Sequence, residues 1–270
     1  MLLEIVGVPV ELNLELDDEA ESLVRSNFGA FRPLSRGRPK VRISAENRGE
    51  GYRITWVSGH DEAVDSGRDE LIHSIESYLV MGLQFARPEL VFLHSAALEF
   101  EGRAFLISGA SGNGKSTLAW ALTHHGCAYL SDELAPIDLT DPKRPIVNAY
   151  PHSLNQKRCP AEPYALPEGT PFTGWTYHIP VNRLPSGVCY EPRKVFAVFL
   201  VEQTRGEPVA TPLSAAEGAF RLYPNLLNGL AHEAAGLKAA RSLSQNQGVY
   251  LLESADLTAT AKLVLETLNQ

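Results

Sequence analysis

The stretch of sequence that decides the fold is Gly109-Ala110-Ser111-Gly112-Asn113-Gly114-Lys115-Ser116. It has the complete G-x-x-x-x-G-K-S form of a phosphate-binding loop. The apolar run 103–108 before it predicts a strand, and residues 117–124 after it predict a helix. Glycines allow a tight turn that aims several backbone N–H groups at one anion, and the positive end of the helix dipole adds to them. The sequence therefore predicts a phosphate site in an α/β fold.

The side chains of this loop indicate that the phosphates are those of a nucleotide. Lys115 is placed to reach the outer phosphates of a nucleotide, and the Ser116 hydroxyl is placed to ligate Mg²⁺. We expect residues Gly109 to Thr117 to bind the nucleotide, with ATP and Mg²⁺ as the cofactors.

An acidic pair follows at a spacing that suits the same chemistry. Residues 127–131 form a second short apolar run that ends in Asp132 and Glu133, which lie 17 and 18 residues after Lys115. In phosphate-loop proteins, acidic residues at the end of a neighbouring strand face the metal ion and the transferring phosphate. The pair is therefore predicted to belong to the phosphate site.

Residues 94 to about 138 resemble the catalytic domain of HPr kinase/phosphorylase and of the HPr-kinase-related kinases. Ser111 matches the internal serine of the family's loop. His94 lies 15 residues ahead of Gly109, where members carry a histidine, and the acidic pair has the family spacing. The resemblance implies a mixed, partly antiparallel sheet like that of phosphoenolpyruvate carboxykinase. It also implies that Asp132 is the catalytic base, that Glu133 supports Mg²⁺, and that His94 contacts Asp132 or the phosphate.

The departures from the family pattern favour the related kinases over the bifunctional enzyme. Thr117 stands where the family usually has Glu, and Glu133 stands where it usually has Asp. A later glycine-rich signature tied to dephosphorylation is missing from the sequence. The related kinases include enzymes that phosphorylate a serine of ribosomal peptides.

The expected function is transfer of the γ-phosphate of ATP to a hydroxyl, with a serine of a protein or peptide as the expected acceptor. Asp132, His94 and Lys115 are the expected catalytic residues, and Ser116 and Glu133 the expected metal ligands. Two alternatives stay open, namely a small-molecule kinase and a non-catalytic nucleotide-binding module that regulates a partner.

Composition indicates an ordinary globular protein. The 270 residues are 44% hydrophobic and 21% charged, with a formal net charge of −8. This charge and the lack of a basic stripe argue against nucleic acid as a partner. No apolar run approaches a membrane span, and three widely spaced cysteines suit reduced thiols, so we expect a cytoplasmic location and no membrane partner. The resembled family often forms oligomers, so a homo-oligomer is also considered.

The chain divides into an α+β N-terminal module at 1–88 and a kinase domain at 89–270. Alternating apolar residues at 41–45 and 52–56 predict a hairpin, and the helix after it is predicted to begin at Ser66. Residues 150–192 are rich in proline and poor in periodicity, which predicts a long irregular segment facing the substrate.

The predicted kinase domain ends in two strands and two helices. Residues 195–201 are a continuous apolar run that predicts a buried strand, and Ser214 to Glu217 form a capping box that begins a helix. Residues 249–252 predict a last strand, and Ser254 is the predicted cap of the C-terminal helix.

Overall fold

The computed structural model describes residues 1–57, 61–228, 234–245 and 247–270. The strands are β1 (Leu2–Ile5), β2 (Val8–Glu15), β3 (Arg32–Pro33), β4 (Val41–Asn47), β5 (Tyr52–Trp56), β6 (Glu62–Ser66), β7 (Leu90–Leu93), β8 (Ser95–Phe100), β9 (Arg103–Ser108), β10 (Ala128–Ser131), β11 (Ala135–Asp138), β12 (Ile146–Val147), β13 (Leu154–Gln156), β14 (Phe172–Thr173), β15 (Thr176–Ile179), β16 (Arg193–Gln203), β17 (Val209–Pro212) and β18 (Gly248–Ser254). The α-helices are α1 (Asp18–Phe28), α2 (Leu71–Ala86), α3 (Lys115–Thr123), α4 (Ala215–Leu222), α5 (Ala234–Gln245) and α6 (Leu257–Leu268).

The N-terminal residues form a sheet with the strand order β3-β1-β2-β4-β5-β6. The predicted hairpin is confirmed as β4 and β5, whose inward residues Ile43, Ala45 and Ile54 are buried. Helix α2 packs its apolar stripe on this sheet, because Leu71, Ile75, Leu79 and Leu83 recur at helical spacing. This sheet contains no strand of the phosphate-loop region, and the division at residue 88 stays a prediction.

The second sheet is mixed, as the family resemblance implies. Its order is β10-β8-β9-β16-β12-β11-β7, and β18 pairs with both β16 and β17. Strand β16 pairs in parallel with β9 and with β18. The other pairs are antiparallel, namely β10–β8, β8–β9, β16–β12, β12–β11, β11–β7 and β18–β17. The predicted buried strand is β16, which lies at the centre of this sheet.

Helices cover both faces of the mixed sheet. Helices α3 and α6 bury Leu118, Trp120 and Val264 in a core on one face. On the other face, α4 and α5 bury Leu222 and Leu243. Two sequence-predicted elements support this arrangement: the capping box between Ser214 and Glu217 is present, and α3 follows the loop directly. The architecture is a mixed α/β fold with the glycine-rich loop at the carboxyl end of β9.

Three predictions about local structure are wrong. The segment 150–192 is not irregular throughout, because β13, β15 and β14 form a three-stranded antiparallel sheet in it. Ser66 ends β6 and does not cap α2, which instead follows a 3-10 turn at Arg68–Glu70. Ser254 ends β18, and the side chain of Asp256 caps α6 by accepting from the Ala259 N–H. The sequence does not predict β6, because its residues 62–65 are exposed and show no apolar pattern, and β18 extends two residues beyond the predicted 249–252 to reach Ser254.

No helix in the described part of the chain is long and apolar enough to cross a membrane. Its three cysteines are all free thiols, with Cys127 and Cys189 buried and Cys159 exposed, as the sequence predicts. Burial raises the pKa of Cys127 to about 12, which makes this thiol unreactive.

Candidate active site

The loop between β9 and α3 depends on glycine at two positions. Gly109 has φ +142°, and a Cβ there would lie 2.7 Å from the carbonyl oxygen of Val201 in β16. Gly114 is the N-cap of α3 with φ +86°, and it has no side chain to satisfy the first N–H groups of the helix. Asn113 fastens the loop to β16 by donating from Nδ2 to the Val201 carbonyl at 2.8 Å. The loop is therefore held in a shape that leaves helix N–H groups for an anion.

Lys115 lies folded against the loop from which it arises. Its side chain is 7% exposed, and Nζ donates to the carbonyl oxygens of Gly109 at 2.9 Å and Ala110 at 3.2 Å. Burial lowers the pKa of Lys115, an effect that the nearby Glu133 and Asp132 oppose. Phosphate oxygens at this loop would replace the two carbonyls as acceptors, because they carry full negative charge.

Asp132 lies beside the first turn of α3. It follows β10, is 1% exposed, and accepts at Oδ1 from the Ser116 hydroxyl at 3.0 Å. Its Oδ2 accepts from the backbone N–H of Asn155 in β13 at 3.2 Å. Two elements far apart in the sequence thus orient this carboxyl group, which the phosphate-loop serine contacts directly.

The electrostatics of Asp132 are unusual for a carboxyl group. Burial, followed by the negative charge of Glu133, raises its pKa to about 8, against the opposing effects of the Ser116 and Asn155 hydrogen bonds and the Lys115 charge. A carboxyl group with such a pKa can both hold and release a proton near neutral pH. Strongly shifted pKa values of this kind concentrate at functional sites.

The residue after Asp132, Glu133, has an unusual backbone conformation. Its φ of +32° is in the left-handed region, which a residue with a side chain adopts at a cost of roughly 1–3 kcal/mol. His94, between β7 and β8, has Nδ1 3.1 Å from the Glu133 carbonyl oxygen and 3.4 Å from its Oε2. Since a carbonyl oxygen only accepts, Nδ1 carries the proton and Nε2 is left as the acceptor. Burial lowers the pKa of His94, so the ring is neutral at pH 7.

Strand β13 forms a wall of the site that sequence reasoning missed. Besides the Asn155 contact with Asp132, Gln156 Oε1 accepts from the Thr117 hydroxyl at 2.9 Å. The next residue, Lys157, has Nζ 3.5 Å from Ser111 Oγ in the loop. Lys157 is a charged residue of the segment 150–192 that the sequence predicts to face the substrate, whereas nothing in the sequence marks Asn155 or Gln156.

The residues present suit a magnesium ion. Ser116 Oγ and Asp132 Oδ1 are hard oxygen donors held 3.0 Å apart, and the Glu133 carboxylate adds negative charge beside them. Mg²⁺ in nucleotide sites takes one or two carboxylates and completes its shell with phosphate oxygens and water. Among the described residues, no group of three or more His, Cys, Asp or Glu side chains is placed to hold a metal ion by itself. Ser116 and Asp132 would hold the ion, with Glu133 the next candidate.

A buried acid lies behind the site. Glu76 of α2 has Oε1 3.5 Å from Nε2 of His152, and among the described residues neither atom has a hydrogen-bond partner. Burial, followed by the charge of Glu133, raises the pKa of Glu76 to about 8, and burial lowers that of His152 to about 4. Both side chains are therefore neutral at pH 7, and they do not form an ion pair. His152 is packed in the interior.

Comparison with solved structures gives distant structural likenesses. One of them is to the HPr(Ser) kinase/phosphatase from Coxiella burnetii. The TM-score is 0.35 at 15% sequence identity, over 66% of this chain and 96% of that chain. No family model and no curated protein matches the sequence. At these values the likeness assigns neither family nor activity, so we argue the function from the site residues.

The structure brings the sequence-predicted residues together. Loop residues 109–117, Asp132, Glu133 and His94 line one region at the carboxyl ends of β9 and β16. One contact differs from expectation: His94 bonds to Glu133 and not to Asp132. The reason is the left-handed backbone at Glu133, which brings its carbonyl oxygen to the histidine. The roles of these residues stay predictions.

Proposed function

We propose that this chain is an ATP-dependent kinase that transfers the γ-phosphoryl group to a hydroxyl, with a serine of a protein or peptide as the acceptor. One observation carries the proposal. The buried Asp132 carboxyl, whose pKa is raised to about 8, accepts a hydrogen bond from the serine of a complete phosphate-loop motif. That contact supports Asp132 as a base beside the position where the motif would hold the outer phosphates.

The site residues divide the work of phosphoryl transfer between binding and proton removal. The N–H groups at the start of α3 and Lys115 would hold the β- and γ-phosphates of ATP. When bound at Ser116 and Asp132, Mg²⁺ would neutralise phosphate charge and favour the ionised carboxylate.

Asp132 would accept the proton of the attacking hydroxyl. The acceptor oxygen forms a bond to the γ-phosphorus, the bond from that phosphorus to the β–γ bridging oxygen breaks, and ADP leaves with the electron pair. The Asn155 N–H occupies one lone pair of Oδ2, which leaves the second lone pair of that oxygen for the proton. Glu133 would supply further negative charge for the metal, and His94 would hold the Glu133 backbone in its left-handed turn.

Two other functions use the same loop. A small-molecule kinase would need the same Lys115, Ser116 and Asp132 but a different acceptor. A non-catalytic nucleotide-binding module would need the loop and no base, whereas this site holds a buried carboxyl group against Ser116.

Transfer of label from γ-labelled ATP distinguishes these functions. Wild type and Lys115→Ala are each incubated with labelled ATP, Mg²⁺ and a cell extract, which is then separated into protein, peptide and metabolite fractions. The proposal expects acid-stable phosphoserine in the protein or peptide fraction with wild type only. Label in the metabolite fraction would support the small-molecule kinase, and ATP binding without transfer to any fraction would refute a kinase.

A further inference from the structure

Three successive residues of β13 and its continuation contact three separate parts of the phosphate site. Asn155 donates its backbone N–H to Asp132, Gln156 accepts from Thr117 at the start of α3, and Lys157 reaches Ser111 in the loop. Asn155 makes its contact through the backbone, whereas Gln156 and Lys157 make theirs through side chains. The carboxyl end of β13 and the residue after it thus run along the site.

The position of β13 is fixed by its surroundings. Leu154 and Gln156 are buried, and the strand pairs with β15 through Leu154–Ile179, Asn155–His178 and Gln156–Tyr177. Among the described residues the Gln156 amide nitrogen has no hydrogen-bond partner, so a polar donor is held beside the helix start. Lys157 therefore projects from a rigid base although its own side chain is exposed.

The ammonium group of Lys157 lies beside the glycine-rich loop, as does that of Lys115, the lysine of the phosphate-loop motif. The Nζ of Lys157 lies 3.5 Å from the hydroxyl of Ser111, a residue of the loop's exposed part. Its positive charge also contributes to lowering the pKa of both Lys115 and His94, as a lesser cause than burial. Lys115 belongs to the loop and α3, whereas Lys157 follows β13, so two cations from separate elements reach the same loop.

We propose that Lys157 is a catalytic residue that contacts the γ-phosphate of bound ATP from the β13 side of the site. The inference rests on the proposed function and adds a residue that the phosphate-loop motif does not contain. During transfer, negative charge is spread over the three equatorial oxygens of the γ-phosphoryl group, and a pre-positioned cation stabilises that charge. Lysine suits the role as a compact, strongly hydrated point charge.

Nucleotide affinity tests the inference before the acceptor is known. Lys157→Ala should lower the affinity for a non-hydrolysable ATP analogue about 10- to 100-fold, the range for loss of one charge-assisted hydrogen bond. ADP affinity should change less than about 3-fold, because ADP has no γ-phosphate. Lys157→Arg should recover part of the loss, since it keeps the charge. The matched control is Arg158→Ala, an adjacent exposed cation, which should leave both affinities unchanged.

Single-turnover transfer supplies the second readout. With saturating labelled ATP and cell extract, Lys157→Ala should transfer about 10²- to 10³-fold more slowly than wild type, with unchanged thermal unfolding. Two results would overturn the inference while leaving the kinase proposal intact. In one, Lys157→Ala lowers the affinities for the ATP analogue and for ADP equally. In the other, Lys157→Ala binds nucleotide and transfers label as wild type does. Failure of the wild-type protein to bind any nucleotide would overturn both.

Discussion

Replacing Asp132 with asparagine should stabilise the metal-free protein while abolishing its proposed catalytic base. The substitution keeps the shape of the side chain and removes a buried group whose ionisation is costly. In the folded protein the pKa of Asp132 is about 8, against 3.8 for the unperturbed group. The folded carboxyl group therefore retains a proton at neutral pH that the unfolded chain has lost.

The sign and the size of the effect follow from this difference. Because the folded state binds more protons between about pH 4 and pH 8, the stability of the wild type falls as pH rises through that window. At 1.36 kcal/mol per pH unit, the penalty at pH 7 is about 4 kcal/mol at most. The asparagine NH₂ would face the Asn155 N–H, and losing that hydrogen bond costs about 1–3 kcal/mol. The net gain at pH 7 is then about 1–3 kcal/mol.

Urea unfolding in a chelating buffer at pH 5, 7 and 8.5 measures the effect. The advantage of Asp132→Asn over wild type should grow from pH 5 to pH 8.5. The control is Asp138→Asn, because hydrogen bonds from Thr140 lower the pKa of Asp138, so its substitution should destabilise the protein at neutral pH. An advantage of Asp132→Asn that does not change with pH, or a loss of stability at every pH, would refute the electrostatic reasoning.

Three further substitutions test other parts of the site. Lys115→Ala should weaken ATP binding in calorimetry about 10-fold or more, since one charged hydrogen-bond donor to phosphate is lost, and unchanged affinity would contradict its role. Glu76→Gln should stabilise the protein increasingly as pH rises from about 4.5 to about 8, because burial raises the pKa of that carboxyl group. Equal unfolding free energies at pH 8.5 would contradict this. Glu133→Gln should slow phosphoryl transfer at low Mg²⁺ and recover at high Mg²⁺, and a magnesium-independent loss would exclude a metal-supporting role.

The sequence predicts those features that depend on residues close together in the chain. The strand and helix on either side of the glycine-rich loop, the capping box at Ser214 and the hairpin of β4 and β5 are confirmed, because each depends on contacts within a few residues or on a simple apolar period. Phosphate binding by the loop stays a prediction. The mixed sheet was implied by the family resemblance and not by periodicity, which does not distinguish parallel from antiparallel neighbours.

The missed features depend on contacts between distant segments. The β13 wall brings Asn155 to Asp132 across 23 residues and Gln156 to Thr117 across 39. Its strand of three residues lies among prolines and is too short to show a period. The left-handed backbone at Glu133 and the neutral pairing of Glu76 with His152 likewise depend on tertiary surroundings. None of these has a local sequence signal.

The most direct test of the account is single-turnover transfer from γ-labelled ATP by Asp132→Asn, measured beside its ATP affinity. The account predicts that at saturating Mg²⁺ the variant binds ATP nearly as tightly as wild type, because the amide oxygen can still ligate the ion. It should transfer label to the acceptor about 10²- to 10⁴-fold more slowly, because the amide cannot take up the hydroxyl proton. Near wild-type transfer by Asp132→Asn would contradict the assignment of Asp132 as the base.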